Sequence, residues 1–296
     1  MKLRIRPLLF GVLVSFFIVS CDKDNPPPAF EKVDFSKCVT PGHKESFEVV
    51  TFNMKEFPLD GDSTIKYASN LLLQMDADVV ALQEISSDAN LKRLAEAMPG
   101  WEYLFSPEKS WSMSLGYLYK ASDVRLTADE TEALFADDSY SFPRPPLKIN
   151  VTHIPSGNSV YIINNHLKCC SGEDNEARRR SAAEKLKNYI DTNLSDEMVI
   201  VVGDLNDEID GTSEEDNVFW SFISDPGNFR FADMSIATGD SKYWSYPSWP
   251  SHIDHLLITN ECFDDVDTVF TTRPEICFHG YKKVVSDHRP VELVLF

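Results

Sequence analysis

The sequence predicts an α/β domain in which two mixed β-sheets pack face to face with helices on their outer sides. Apolar, β-branched runs such as residues 198–202 alternate with segments of helical spacing such as residues 173–194. Residues 147–154 and 160–167 are joined by the turn Pro155-Ser156-Gly157-Asn158 and read as a hairpin, so the sheets are mixed. No repeat and no linker divides the stretch after residue 45, so a single domain must bury all of these strands.

The chain opens on a targeting pattern. Lys2, Arg4 and Arg6 form a positive start, and residues 8–19 are apolar but too short for a membrane-spanning helix. Ile18-Val19-Ser20-Cys21 then sets a cysteine after an apolar and a small residue, which resembles a bacterial lipobox; an ordinary signal peptide with a chance cysteine is the alternative. Residues 1–20 are read as a lipoprotein signal peptide and Cys21 as the lipidated first residue. Residues 21–45, charged and then Pro-rich, are read as a tether. The expected location is the cell envelope, with an extracytoplasmic, monomeric body held to a membrane, the outer membrane foremost, by its acyl chains. There disulfides form. Cys262 with Cys277, and Cys38 with Cys169 or Cys170, are the expected bridges, and an odd cysteine is left over.

The folded body is read as residues 46–296. Residues 47–53 alternate and are rich in β-formers, a strand that ends at Asn53. Ile65, Ala68, Leu71, Leu72 and Met75 give a helix over residues 63–75, with Asp62 or Ser63 as its N-cap. Residues 78–84 form a strand ending in Gln83-Glu84, and residues 90–98 a helix stopped by Pro99-Gly100. Residues 101–105 and 115–120 read as strands, and residues 127–140 as an acidic loop with a short helix. The helix over residues 173–194 turns Ala177, Ala182, Leu186, Tyr189 and Ile190 inward. Residues 252–258 and 291–296 are the last clear strands.

The chemistry lies where the strands end. The run Val199-Ile200-Val201-Val202 enters Gly203, Asp204, Leu205 and Asn206, placing a carboxylate and a carboxamide at the rim of a core. Strand alternation puts Asp204 and Asn206 on one face. Alone, a strand followed by an Asx turn accounts for this stretch. The pattern recurs at Asn53, Glu84, His166, Asp254, Asp287 and His288, and a core does not require so many ionisable groups at strand termini. Such a set can hold a water, a phosphoryl oxygen or a hard cation. His255, on the opposite strand face from Asp254, is read as packed.

In order along the chain, TFNM, ALQEI, NNHLK, GDLND, HIDHLLI and VVSDHRPV resemble the endonuclease/exonuclease/phosphatase superfamily, which includes deoxyribonuclease I, AP endonucleases, sphingomyelinases and inositol-polyphosphate 5-phosphatases. The resemblance covers residues 46–296 and implies a four-layer α/β sandwich. It further implies that Asn53, Glu84 and Asp287 serve a metal ion, Mg²⁺ or Mn²⁺. Asp204 and Asn206 would orient water and phosphate, Asp254 would pair with His288, and His166 would act on the phosphate or leaving group. Arg144-Pro145 resembles an Arg-x-Pro segment whose Arg touches substrate phosphate.

The charge of −19 becomes −22 once Lys2, Arg4 and Arg6 are removed, 25 basic residues against 47 acidic. Such a surface draws in divalent cations and argues against nonspecific nucleic-acid storage. Pro247-Ser248-Trp249-Pro250 departs from the 5-phosphatase pattern, and Asn164-Asn165-His166 from the AP endonuclease pattern. The expected activity is metal-dependent phosphoester hydrolysis, foremost a nuclease-like phosphodiesterase. A phosphatase or sphingomyelinase-like lipid phosphodiesterase is the alternative, and a noncatalytic surface-binding lipoprotein stands behind both. The substrate is then nucleic acid, phospholipid or a small phosphate ester.

Overall fold

A computed structural model describes residues 32–106 and 113–296. The signal peptide, Cys21 and the start of the tether lie outside the described residues. The first half runs β1 (Phe47–Phe57), α1 (Asp62–Met75), β2 (Val79–Ile85), α2 (Asp88–Glu96), β3 (Trp101–Phe105), β4 (Ser114–Lys120), β5 (Val124–Leu126) and β6 (Glu132–Ala133). Then come β7 (Leu147–His153), β8 (Ser159–His166), α3 (Glu173–Asn193), β9 (Val199–Asp204), α4 (Trp220–Ile223) and β10 (Phe229–Phe231). The chain closes with α5 (Met234–Ala237), β11 (Asp254–Thr259), β12 (Val266–Thr271), α6 (Tyr281–Val284) and β13 (Val291–Leu295).

One sheet has the order β12-β13-β1-β2-β4-β3 and the other β10-β11-β9-β8-β7-β5, with β6 added on β7. Each contains one parallel pair, β1 with β2 and β8 with β9, crossed over by α1 and α3. Side-chain alternation sorts the core into three apolar layers. Phe47 and Val49 of β1, Ile162 of β8, Ile200 and Val202 of β9 and Leu256 of β11 meet between the sheets. Val50, Phe52, Val80 and Leu82 pack under α1 and α2. Val199, Val201 and Leu257 pack under α3 and α4. The result is a four-layer sandwich of two mixed sheets flanked by helices.

The packed body begins earlier than residue 46. It extends back to Lys32, with Phe35 fully buried and its N–H donated to Gln74 Oε1 at 2.8 Å. Residues 32–45 therefore do not act as tether, because Phe35 gains more from the core beside α1 than from solvent. Cys38 is bonded to Cys277, while Cys169, Cys170 and Cys262 are free thiols. This overturns both expected bridges: Cys262 is buried between the sheets, and Cys169 and Cys170 lie on an exposed loop. In α3, Ala177 is exposed and Arg179 is buried, because Arg179 turns in to Asp207 at 2.8 Å and to the carbonyls of Lys168 and Cys170. The two- and three-residue strands β5, β6 and β10 are too short to show a period in sequence, and β12 is only partly buried and lacks an apolar alternation. Among the described residues no helix is long and apolar enough to cross a membrane.

Candidate active site

Strand parity builds the site. Asn53 continues the inter-sheet face of Phe47 and Val49, Asp204 that of Ile200 and Val202, His166 that of Ile162, and Asp254 that of Leu256 and Ile258. Where the apolar layer between the sheets reaches one rim, these four side chains converge. Beneath them the two sheets are tied by a buried amide contact, Gln83 Nε2 to Asn164 Oδ1 at 2.7 Å.

Glu84 breaks parity. Following Val80 and Leu82 it would face the helices, but its φ of 61° and a register shift after Leu82 swing it toward the rim. β1 is irregular at the same level, with its register against β2 shifting between Asn53 and Phe57. That frees Lys55 N–H for Asn53 Oδ1 at 2.9 Å and Glu56 N–H for Glu84 Oε2 at 2.8 Å. Gly203 has a φ of 143°, and a Cβ there would lie 2.0 Å from the Asn165 carbonyl oxygen on β8. Only glycine lets β9 run that close to its neighbour just before Asp204.

Asn53 Nδ2 donates to Asp204 Oδ2 at 2.8 Å and to Glu84 Oε1 at 3.2 Å. Its Oδ1 is turned to the Lys55 N–H, so Asn53 clamps two carboxylates and does not offer its oxygen beside Glu84. This orientation sets the amide nitrogen, not the oxygen, toward the two carboxylates, where an oxygen would face two acceptors. His166 Nε2 lies 3.6 Å from Asp204 Oδ2 and 4.0 Å from Glu84 Oε1. Its Nδ1 is buried without a partner. Burial, then Arg144 and His288, push this ring well below the usual imidazole range, so it is neutral. Asp204 is raised to about 7, chiefly by burial and next by Asp254.

His288 Nδ1 lies 2.8 Å from Asp254 Oδ2, and its Nε2 lies 3.9 Å from Asp204 Oδ2. Burial works against its charge, but Asp254 outweighs it and lifts His288 to about 9. Asn206 does not continue the strand. It has a φ of 56°, its N–H returns to Asp204 Oδ1 at 3.0 Å, and its Nδ2 reaches the Leu167 carbonyl at 3.3 Å. Arg144 stands beside the cluster, its Nε on the Met113 carbonyl at 3.3 Å and its charge within reach of Glu84 and Asp204. Asp287 is paired with the Lys55 ammonium.

Several supporting residues were not singled out in the sequence. Ser286 Oγ donates to the Asn53 carbonyl at 2.6 Å and accepts the His288 N–H at 3.0 Å. Tyr246 packs on the His288 ring at 4.7 Å. Ser245 Oγ accepts the Asp254 N–H at 3.2 Å, and its carbonyl accepts the Arg289 N–H at 2.8 Å. Ser286 sits inside the SDH motif and carried a signal; Lys55, Ser245 and Tyr246 carried none.

A second buried group backs the first. Asp233 Oδ2 accepts from His252 Nε2 at 2.9 Å and from His255 Nδ1 at 2.6 Å, and Oδ1 accepts the Leu256 N–H at 3.0 Å. His252 Nδ1 accepts the Ser245 N–H at 3.2 Å, so its proton is on Nε2. His255 Nε2 faces the Asp207 carbonyl at 2.9 Å, which only accepts, so both of its nitrogens carry protons and the ring is cationic. His255 is therefore no mere packing residue. Through Ser245 and Asp207 this ion pair holds the backbones on either side of Asp204 and Asp254.

The chain resembles solved structures across most of its length. A D. rerio TDP2 structure complexed with single strand DNA product has a TM-score of 0.66 at 15% identity, covering 85% of this chain and 99% of that one. A Bacteroides vulgatus endonuclease/exonuclease/phosphatase has a TM-score of 0.63 at 14% identity, covering 85% and 98%. The Bacteroides thetaiotaomicron mannosyl-6-phosphatase has a TM-score of 0.61 at 15% identity, covering 84% and 99%. No curated protein sequence matches the chain. Residues 50–288 match the family model for the Endonuclease/Exonuclease/phosphatase family, and these bounds take in every one of the clustered side chains from Asn53 to His288: the chain belongs to that family of phosphoester hydrolases.

Proposed function

We propose that the protein is a divalent-metal-dependent phosphoesterase, a nuclease-like phosphodiesterase in its first reading. The observation that carries this is Asp204: a buried carboxylate near neutrality, with an Asn53 N–H on one side and imidazoles on two others. That is the setting of a group that takes a proton from water at neutral pH.

The residues fit a hard cation. Glu84 is only partly buried and offers carboxylate oxygens, and the neighbouring Asp287 already stabilises positive charge in the form of the Lys55 ammonium, on which Glu84 also acts. Glu84 would hold the ion, with Asp287 at its edge. Mg²⁺ or Mn²⁺ there would neutralise a phosphate oxygen and the leaving oxyanion. Asp204 orients and deprotonates the attacking water, and Asn206 fixes the turn that aims it. The His288 imidazolium, held at Nδ1 by Asp254, presents Nε2 to the charge that builds up on phosphorus oxygens. Neutral His166 donates from Nε2 to a phosphate oxygen or the leaving group, and Arg144 steadies the phosphate from the side.

Plasmid DNA, single-stranded oligonucleotide, sphingomyelin and sugar phosphates, each with Mg²⁺ and with excess chelator, test the reading. Chelator-sensitive cleavage of the nucleic acids supports the first form, and cleavage of the lipid or sugar phosphates alone moves it to the alternative. Absence of metal-dependent hydrolysis of every phosphoester would falsify it. We further propose that Cys21 is the lipidated N-terminus of a body anchored in the cell envelope. Intact mass of the membrane fraction carries the acyl chains if so, and an unmodified soluble protein contradicts it.

A further inference from the structure

Beside the carboxylate cluster lies a cavity of about 630 Å³, of the size that takes a small ligand. Its described lining holds three cations, Arg144, Lys168 and Arg178, and no carboxylate. That is against the odds of a chain with 47 acidic and 28 basic residues. Other cavities balance their cations: Arg180 shares one with Glu184 and Glu214, and Lys282 and Arg289 share another with Glu275 and Asp287. Among the described ion pairs none includes Arg144, Lys168 or Arg178.

What holds these side chains is neutral. Arg178 spends Nε on the Tyr140 carbonyl at 2.6 Å and one terminal nitrogen on the Ser139 carbonyl at 3.1 Å, and lies over the Tyr140 ring at 5.3 Å. Arg144 spends Nε on the Met113 carbonyl. Lys168 reaches only its neighbour Cys169, the carbonyl at 3.2 Å and Sγ at 3.7 Å. Each cation is thus steered by carbonyls, and Lys168 also by a thiol, while keeping N–H donors for something else. Arg144, which feels Glu84 and Asp204, marks where the cavity meets the reaction centre, and Lys168 follows His166 by two residues on the same chain segment.

The scissile phosphate is already served by the metal position, His288, His166 and Arg144. Arg178 and Lys168 are surplus to it. We propose that this cavity is a subsite for a second, non-reacting phosphate of the substrate, with Arg178 and Lys168 as its cations. Planar guanidinium and mobile ammonium donors together suit phosphate oxygens. The inference rests on the phosphoesterase reading of the neighbouring cluster. The second phosphate comes either from the next nucleotide of a single strand or from a small bisphosphate.

The test separates these sources and separates this inference from the reading beneath it. Calorimetry in excess chelator compares thymidine 3′,5′-bisphosphate with thymidine 5′-monophosphate, with no turnover required. The wild type binds the bisphosphate about tenfold more tightly, and Lys168→Gln and Arg178→Gln each shrink that ratio. Lys168→Gln guards against misfolding, since its amine bonds only to its neighbour. Equal affinities for the two ligands in the wild type, or a ratio unmoved by both variants, overturns the subsite. A ratio that behaves as stated, in a protein that hydrolyses no phosphoester, leaves the subsite and sinks the catalytic reading. In the kinetic arm, the two variants lower kcat/KM for a short single-stranded oligonucleotide if the strand supplies the phosphate. They lower it for the bisphosphate alone if a small substrate does.

Discussion

Glu84 and Asp204 are two carboxylates held together by one amide, Asn53, and the same-sign charge between them is what a cation relieves. Glu84→Gln keeps the size and removes the charge, losing one of the two hydrogen bonds accepted from Asn53 Nδ2 and the Glu56 N–H, since an amide nitrogen only donates. It should lower kcat by at least about a hundredfold and weaken Mg²⁺, read as a rightward shift of the metal titration, with the fold retained by circular dichroism. Full activity of the wild type in excess chelator would sink that assignment. The Asp254–His288 pair behaves as one unit because His288 keeps its proton through Asp254. His288→Ala and Asp254→Ala should each cost about 10²–10⁴ in kcat, with little change in KM. The double variant should be scarcely worse than His288→Ala. Fully additive losses would show that the two act separately.

Strand β11 shows how an element serves two faces at once. Asp254 faces the inter-sheet rim, and His255, one residue on, faces the helices and closes an ion pair with Asp233. His255→Phe would leave a buried carboxylate short of its cation, so a loss of about 3–5 kcal/mol in unfolding free energy is expected from denaturant titration. His255→Phe as stable as wild type would mean that the pair is dispensable. At the opposite end of β1 and β2 the buried acids behave differently. Asp78 accepts the Glu48 N–H at 3.0 Å, and burial first, with Glu48 beside it, raises it to about 8. Between pH 4 and pH 8 the native state therefore holds a proton that the unfolded chain has released. Stability falls as pH rises through this window, by at most about 1.4 kcal/mol per pH unit for one proton. Asp78→Asn should flatten that slope in thermal melts taken across the window. A slope identical to wild type would place the proton elsewhere.

For the whole molecule, the longest covalent constraint is Cys38–Cys277, separated by 239 residues. It ties the segment before β1 to the turn before α6, and α6 leads directly into the Ser286–His288 stretch. Closing so long a loop restricts the unfolded chain, a stabilisation of up to about 5 kcal/mol. Cys38→Ser should lower the melting temperature by several degrees under oxidising conditions and abolish the effect of added reductant. Catalytic constants measured well below the transition should be little changed, because neither cysteine touches the cluster. A reductant effect that persists in Cys38→Ser would point to Cys169 and Cys170 instead.

Hydrophobic periodicity fixed most of the long elements, since alternation and helical spacing are local and are enforced by burial on one face or two. Asn53, Glu84, His166, Asp204, Asp254 and His288 were legible because a polar or ionisable group at the edge of an apolar run has no packing reason to be there. What the sequence did not hold is everything set by distance in space. β5, β6 and β10 are too short for a period, β12 is only partly buried and so carries no apolar alternation, and all four add on to the edges of neighbouring strands. Cys38 found Cys277 because Phe35 prefers the core, a choice no cysteine spacing encodes. The swing of Glu84 at positive φ, the clamp by Asn53 and the cationic state of His255 each depend on partners 22 to 151 residues away. Local sequence decides which groups stand at a strand's end; the packing of two sheets decides which of them face one another, and so which carry charge.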